Sequence, residues 1–311
     1  MEQGWEQRVK LEHLTLDNYT SFLLKGPWGF GKTIAAATFA RLGPVFLSYW
    51  DKKGPIELMQ FLKVHAPELI RNIEYEVYGA TNAGAYLEKM IAFQKDCRYA
   101  AVINDSVTTM TSAAVNWSLA WRNTGKKNPS KDKIIPDWDE YKVETSLVAQ
   151  ALDMCRTLPC HVIWIAHPVA SIKIEGSGSS VKVSKVNPIV TYGSKVASII
   201  PGQFSEIYHF SKRSEWNSQK GKADIQYFVS TQQVGDDYAK SNIGLDCEMD
   251  ITNKLFYDVW KSEVDKLNER LNEPITQPEP SSNMFAGLTD SKPTPTATPT
   301  QTGPLKKPWE K

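Results

Sequence analysis

The chain lacks most of what would mark it as secreted, membrane-spanning or built around a metal. Its four cysteines, Cys97, Cys155, Cys160 and Cys247, are scattered through 311 residues with no C-x-x-C pair. That spacing excludes a disulfide-framed scaffold and a zinc finger, and reads as reduced thiols of a cytosolic protein. The five histidines do not cluster with them. No run approaches the ~18 apolar residues of a membrane span. Met1-Glu2-Gln3-Gly4-Trp5 contains no apolar signal region. An excess of one charge is missing too: 36 Lys and Arg stand against 35 Asp and Glu, a net charge of +1. So even a balance gives no global attraction to nucleic acid, and any DNA-binding surface must be local. Internal repeats are also absent. These absences lead to the expectation of a cytoplasmic protein with no membrane partner.

What is present is a globular composition, 41% hydrophobic and 23% charged, in a chain long enough for one large α/β domain or two small ones. One stretch organises it. Gly26-Pro27-Trp28-Gly29-Phe30-Gly31-Lys32-Thr33 fits the phosphate-loop template G-x-x-x-x-G-K-[ST] at every fixed position. Ser21 to Leu24 is a short apolar strand leading in, and Ile34 to Ala40 is alanine-rich and opens a helix. Successive backbone N–H groups round an anion make a donor nest, and glycines let the backbone come close. The helix N-terminus adds unpaired donors and the positive dipole end. The expected binding residues for ATP are Gly26, Pro27, Trp28, Gly29, Phe30, Gly31, Lys32, Thr33 and Ile34. Lys32 would reach the β- and γ-phosphates, and the Thr33 hydroxyl would ligate Mg²⁺.

Along the chain, residues 1–20 form a polar N-terminal segment, either an edge strand or a lid. Strand patterns follow at Val45–Trp50, Ile73–Tyr78, Tyr99–Ser106, Cys160–His167 and Ile225–Gln232, with short apolar segments at 196–200 and 206–211. Helical patterns lie between them at 56–71, 81–95, 107–121 and 138–157. In the 81–95 helix, Ala85, Leu87, Met90, Ile91 and Phe93 fall on or near one face. Alternating strand and helix predicts an α/β core over 21–250 with a mainly parallel sheet. Arg122 to Lys133 reads as a basic loop, and Pro168 to about Val190 as a long Gly-, Ser- and Lys-rich loop. A C-terminal amphipathic helix is expected over 251–273. Residues 274–311, rich in Pro and Thr, cannot bury enough apolar area to order and are expected to be disordered. Within that tail, Leu305-Lys306-Lys307-Pro308-Trp309 is either a peptide that recruits a protein partner or plain solvated chain.

A phosphate loop needs a metal partner. Asp105 closes a near-continuous apolar strand, where an aspartate orients Mg²⁺. Ser106 follows it, where many NTPases carry a glutamate base. The base must then come from another strand end: Asp51 is the first candidate, Glu57 the reserve, and a helix cap the plain alternative for Asp51. His167 either hydrogen-bonds the γ-phosphate and reports its loss to the following loop, or is structural.

These pieces together resemble the RecA-like P-loop ATPases, in particular the phage-encoded branch of AAA-type ATP-binding proteins and RecA-like single-strand annealing proteins. The resemblance covers roughly residues 20–250. It rests on Gly26 to Thr33, Asp51, Val102-Ile103-Asn104-Asp105-Ser106, Trp164-Ile165-Ala166-His167, and Gly193-Ser194-Lys195 with the late strand after it. It implies a RecA-like core in which the strand ending at His167 lies between the phosphate-loop strand and the Asp105 strand. It further implies ATP bound between subunits of a ring or filament, and two DNA-facing loops. The chain departs from the family at Asp51, where a longer glutamate is usual. It also departs at Tyr238-Ala239-Lys240-Ser241-Asn242, which holds Lys240 but no arginine. Lys240 is then either a cation acting on a neighbour's ATP or a surface lysine.

The two loops carry DNA-binding chemistry of their own. Arg122, Lys126, Lys127, Lys131 and Lys133 face the single acid Asp132, beside Trp117 and Trp121. Lys173, Lys182 and Lys185 decorate the second loop. Aromatic faces in a basic groove hold single strands without reading sequence. Equally, both loops could be solvated surface, with Trp117 and Trp121 turned to the core. The expectation is a Mg²⁺-dependent ATPase with catalytic residues Lys32, Asp51, Asp105, His167 and Lys240, a homo-oligomer bound to single-stranded DNA in phage recombination or replication. If it is phage-encoded, it would work in the bacterial host cytoplasm. A DNA helicase or helicase loader, and a nucleotide-gated assembly module with little hydrolysis, are the alternatives.

Overall fold

Eight of the strands line up as β11-β9-β8-β1-β5-β4-β2-β3 in one twisted sheet, and a ninth, β10, pairs with β8. The computed structural model describes residues 20–51, 54–124, 135–168, 171–175, 182–186, 194–217, 219, 221–232, 239–245 and 247–272. The parallel half comprises β1 (Ser21–Lys25), β2 (Val45–Tyr49), β3 (Ile73–Val77), β4 (Ala101–Asp105) and β5 (His161–Ala166). The antiparallel half comprises β8 (Glu206–Asn217), β9 (Lys222–Ser230), β10 (Lys240–Ser241) and β11 (Glu248–Asp250), and β8 joins the two halves by pairing parallel to β1. β5 lies between β1 and β4, as the resemblance implied. The sheet is therefore mostly parallel, as expected, with an antiparallel edge that makes it mixed.

Every residue of β4 and β5 is buried, because helices cover both faces of the sheet. Side chains alternate between two cores. On one side Leu23, Phe46, Val102, Val162 and Trp164 meet α3 (Ala83–Lys95), α4 (Val107–Arg122) and α5 (Trp138–Arg156). On the other, Phe22, Leu24, Leu47, Ile103 and Ile163 meet α1 (Lys32–Ala37), α2 (Ile56–His65) and α7 (Phe256–Asn272). The period of two along each strand is what sorts them. In α3 the buried face is Ala83, Tyr86, Met90 and Phe93, with Ile91 turned out at 40% exposure. That corrects the face expected from sequence. Tyr86 is drawn in because its hydroxyl donates to Asn104 Oδ1 at 2.7 Å.

The helical pattern at 56–71 breaks at Ala66, where Pro67 starts a separate 3-10 turn, Pro67–Asn72. The C-terminal helix α7 is fastened to the second core. Phe22 meets Phe39 and Trp260 edge-on at 5.3 and 5.4 Å, and the Tyr257 amide donates to Thr38 Oγ1 at 2.9 Å. Trp260 Nε1 donates to the Tyr208 hydroxyl, which donates to the buried Glu206 carboxylate. Glu206 also accepts from the Asn242 and Ile243 amides, so a buried acid has partners on several sides.

The long loop expected from Pro168 contains structure. β6 (Ser171–Glu175) and β7 (Lys182–Val186) pair antiparallel as a separate two-stranded ribbon. Ser-Ile-Lys-Ile-Glu alternates β-branched and polar residues, Lys-Val-Ser-Lys-Val does so only in its first half, and a Gly/Ser-rich sequence separates them. After it comes α6 (Ser194–Ile199). β8 and β9 are longer than expected and form a twelve-residue arm against a nine-residue one. The N-terminal segment before Thr20 and the tail after Asn272 lie outside the described residues. Among the described residues, no helix is long and apolar enough to cross a membrane.

Candidate functional site

Register brings the site together. Lys25 pairs with Ala166, Ile165 with Asp105, and Asp105 with Tyr49. The chain therefore leaves β1, β5, β4 and β2 on one rim of the sheet. The loop Gly26–Gly31, His167, Ser106 and Trp50 all emerge there.

Gly26 passes tightly under the neighbouring strand, and a Cβ on it would come 2.6 Å from the Phe210 carbonyl oxygen. Gly31 takes φ of +80° to turn the chain into α1, a left-handed conformation that favours glycine. The loop curls round Lys32. Its Nζ donates to the carbonyls of Gly26 and Pro27, both at 2.7 Å. Burial pulls the Lys32 ammonium down to about 8, against the attraction of Asp105. Pro27, Trp28 and Gly29 are exposed at the loop tip, while Phe30 and Ile34 pack against the core. Lys212 from β8 lies over the Phe30 ring at 4.9 Å.

The two expected metal-side residues touch: Thr33 Oγ1 donates to Asp105 Oδ2 at 2.6 Å. Asp105 is 8% exposed. Burial raises its carboxyl to about 6, Thr33 and Lys32 oppose the rise, and Asp51 adds to it. Asp51 is thus close enough to be felt at Asp105, although its side chain is exposed at the end of β2. Tyr49 stands beside Asp105 and remains protonated, pushed up to about 12 by burial and then by Asp105, Asp51 and Glu57. Tyr49 was not singled out from the sequence; its place two residues before Asp51 was the available signal. Among the described residues there is no cluster of three or more His, Cys, Asp or Glu that could hold a metal. What the site offers is one hydroxyl and one carboxylate, a pair that suits Mg²⁺ because that ion retains waters and takes phosphate oxygens.

Ser106 is joined to Asp105 by a cis peptide bond. It caps α4: its Oγ accepts from the Thr109 amide at 3.2 Å, and its own amide donates to Thr109 Oγ1 at 3.1 Å. His167 stacks on Trp28, with ring centroids 4.9 Å apart and planes at 17°. Its amide donates to Thr108 Oγ1 at 3.1 Å, a partner the sequence did not suggest. Burial and the Lys32 charge lower its imidazole to about 4, with the Gly26 backbone pulling the other way. His167 is therefore neutral near pH 7.

Other expected residues stand elsewhere. Lys240 pairs with Ile207, which is level with Leu23, so it sits behind the rim and one strand away from the chain's own loop. Arg122 ends α4, roughly 24 Å from Asp105 along the helix. Its guanidinium meets the buried Glu140 at 3.0 Å and Asp137 at 3.5 Å, and so pins the base of the 123–137 connection. Trp117 packs into the core, whereas Trp121 is 76% and Trp138 65% exposed. Lys126, Lys127, Lys131 and Lys133 lie outside the described residues. In the ribbon, Lys173 is opposite Ser184, Lys182 opposite Glu175 and Lys185 opposite Ile172. Compared with known proteins, the chain matches no family model and no curated protein.

Proposed function

We propose that the chain is a RecA-like, Mg²⁺-dependent ATPase that oligomerises and binds single-stranded DNA, in annealing or strand exchange during phage recombination or replication. The 2.6 Å contact between Thr33 and Asp105 carries the reading, since it joins a phosphate loop to a metal-orienting carboxylate. The placement of β5 between β1 and β4 supports it. The amides from Gly26 to Ile34 and the Lys32 ammonium would hold the triphosphate. Thr33 and Asp105 would hold Mg²⁺, which neutralises charge on the transferred phosphoryl group. Asp51 would take the proton of the attacking water. A neutral His167 would act on the γ-phosphate through a hydrogen bond, not as a cation. Lys240, which sits behind the rim and not at its own loop, would reach a neighbour's nucleotide.

Exposed Trp121 and Trp138 flank the basic stretch 125–134, and that combination supports single-strand binding. Fluorescence anisotropy with labelled single-stranded DNA at low salt, with and without ATP and Mg²⁺, tests the proposal together with a phosphate-release assay. DNA-stimulated turnover and ATP-dependent binding are expected; no single-strand affinity at low salt defeats the DNA part. A second reading, a nucleotide-gated assembly module with little hydrolysis, is favoured by one observation. Ser106, standing where a glutamate base is common, is spent on capping α4. Tight ATP binding with negligible phosphate release would select it.

A further inference from the structure

A pair of thiols lies at the end of the sheet remote from the phosphate loop, about 20 Å away along β5. Cys97 sits between α3 and β4, and Cys160 directly precedes β5. Their Sγ atoms are 3.8 Å apart. Cys97 is half-buried, and Cys160 is 2% exposed. The backbone fixes their approach. The Ala100 amide donates to the Pro44 carbonyl at 2.7 Å, and the His161 amide donates to the Ala100 carbonyl at 3.0 Å. Between them, the Tyr99 hydroxyl donates to Glu74 Oε2 at 2.8 Å.

We propose that Cys97 and Cys160 form a redox-active dithiol, which a small-molecule disulfide such as oxidised glutathione converts into an intramolecular bridge between the starts of β4 and β5. The Cys97 thiolate attacks one sulfur of the small disulfide. That S–S bond breaks, one small thiolate leaves and takes up a proton, and a mixed disulfide remains on Cys97. Cys160 then gives up its proton and attacks Cys97 Sγ, releasing the second small thiol. Two protein thiols lose two electrons in total, and one small disulfide becomes two thiols. The step needs the sulfurs to close from 3.8 Å to a bond of about 2 Å.

The order of attack follows from the environments. Cys97 is reachable, and the Cys160 thiol beside it holds its own thiol below the usual range despite burial. Thiolate character with access is what makes a cysteine react. Cys160 is pushed the other way by Cys97 and by burial, so it keeps its proton and is sheltered from reagents. It reacts once Cys97 presents an electrophilic sulfur beside it. Cys155 has a different character: it is buried, 3.7 Å from Met90 Sδ, and burial pushes its thiol up to about 12.

The test uses the full chain, folded, treated with oxidised glutathione and read by intact mass and peptide mapping. Expected is a product lighter by two hydrogens, carrying one bridge between the Cys97 and Cys160 peptides. Cys160→Ser should stop with one glutathionyl group on Cys97, and Cys97→Ser should leave Cys160 unmodified. Wild-type protein that stops at the mixed disulfide, that leaves Cys97 untouched, or that bridges through Cys155 or Cys247 overturns the proposal. The wild-type result alone decides, whether or not either variant folds, and it is independent of nucleotide binding.

Discussion

A carboxylate buried as deeply as Asp105 favours its neutral form, and this sets a pH dependence that can be measured without any ligand. Its folded value of about 6 lies above the ordinary 3.8. The group therefore imposes no cost below about pH 4, and stability is lost as pH rises through 6. Two pH units correspond to about 3 kcal/mol. Asp105→Asn keeps an acceptor for Thr33 and removes the charge. In melts without Mg²⁺ or nucleotide, the variant should be more stable than wild type at pH 8. Its advantage, up to about 3 kcal/mol, should shrink through pH 6 and vanish near pH 4. If Asp105 serves a metal, the same variant should also lose Mg²⁺-dependent nucleotide binding. His167 offers a second residue-scale measurement. Trp28 covers one face of its ring and contributes to the burial that lowers it to about 4. Trp28→Ala should let the imidazole rise toward its ordinary 6.5, followed by NMR titration of the ring. A ring that still titrates near 4 would assign the shift to Lys32 and the strand ends.

Among the elements, the join between β1 and α1 tolerates least. A methyl at Gly26 would be 2.6 Å from a main-chain oxygen of β8, which cannot swing aside as a side chain could. Gly26→Ala should lower stability by about 1–3 kcal/mol in urea titration, with a weakened triphosphate affinity. This glycine was legible from the sequence as part of a motif, but its neighbour Phe210 was not, because β8 lies 184 positions further on. The strand, glycine loop and helix around Gly26–Lys32, the place of Asp105 at the end of β4, and the buried strands β4 and β5 were legible for a related reason: local pattern and strand burial fix them. The elements that escaped depend on pairing. The β6–β7 ribbon was hidden by the Gly/Ser-rich sequence between its arms and by the broken alternation of Lys182–Val186. The β8–β9 hairpin looked shorter because Lys212, Arg213 and Glu215 interrupt its apolar pattern, while ladder bonds to the opposite arm hold those residues in strand. Arg122 read as a loop cation, yet its partner Glu140 is set by the docking of α5 on α4.

At the scale of the whole molecule, the proposed nucleotide and DNA sites would lie at opposite ends of one helix. α4 begins at the Ser106 cap, next to Asp105, and ends at Arg122, beside the exposed Trp121 and Trp138. If the chain binds single strands as proposed, a net charge of +1 adds no global attraction, and the local basic stretch and stacking at this end would supply the affinity. Base stacking on an aromatic side chain is worth about 1–3 kcal/mol. Trp121→Ala with Trp138→Ala should therefore weaken single-strand binding at least about tenfold, with the salt dependence nearly unchanged because no phosphate contact is removed. Affinity for ATP without DNA should remain at the wild-type value, since neither indole approaches the phosphate loop. Lys32→Ala should behave in the opposite way, abolishing triphosphate binding while leaving the ATP-independent part of DNA affinity intact. Anisotropy for DNA and calorimetry for nucleotide, run on both variants, separate the two ends. If the tryptophan variant binds single strands like wild type, the basic stretch would have to act without the indoles. A steep salt slope in that protein would then locate the affinity in its lysines.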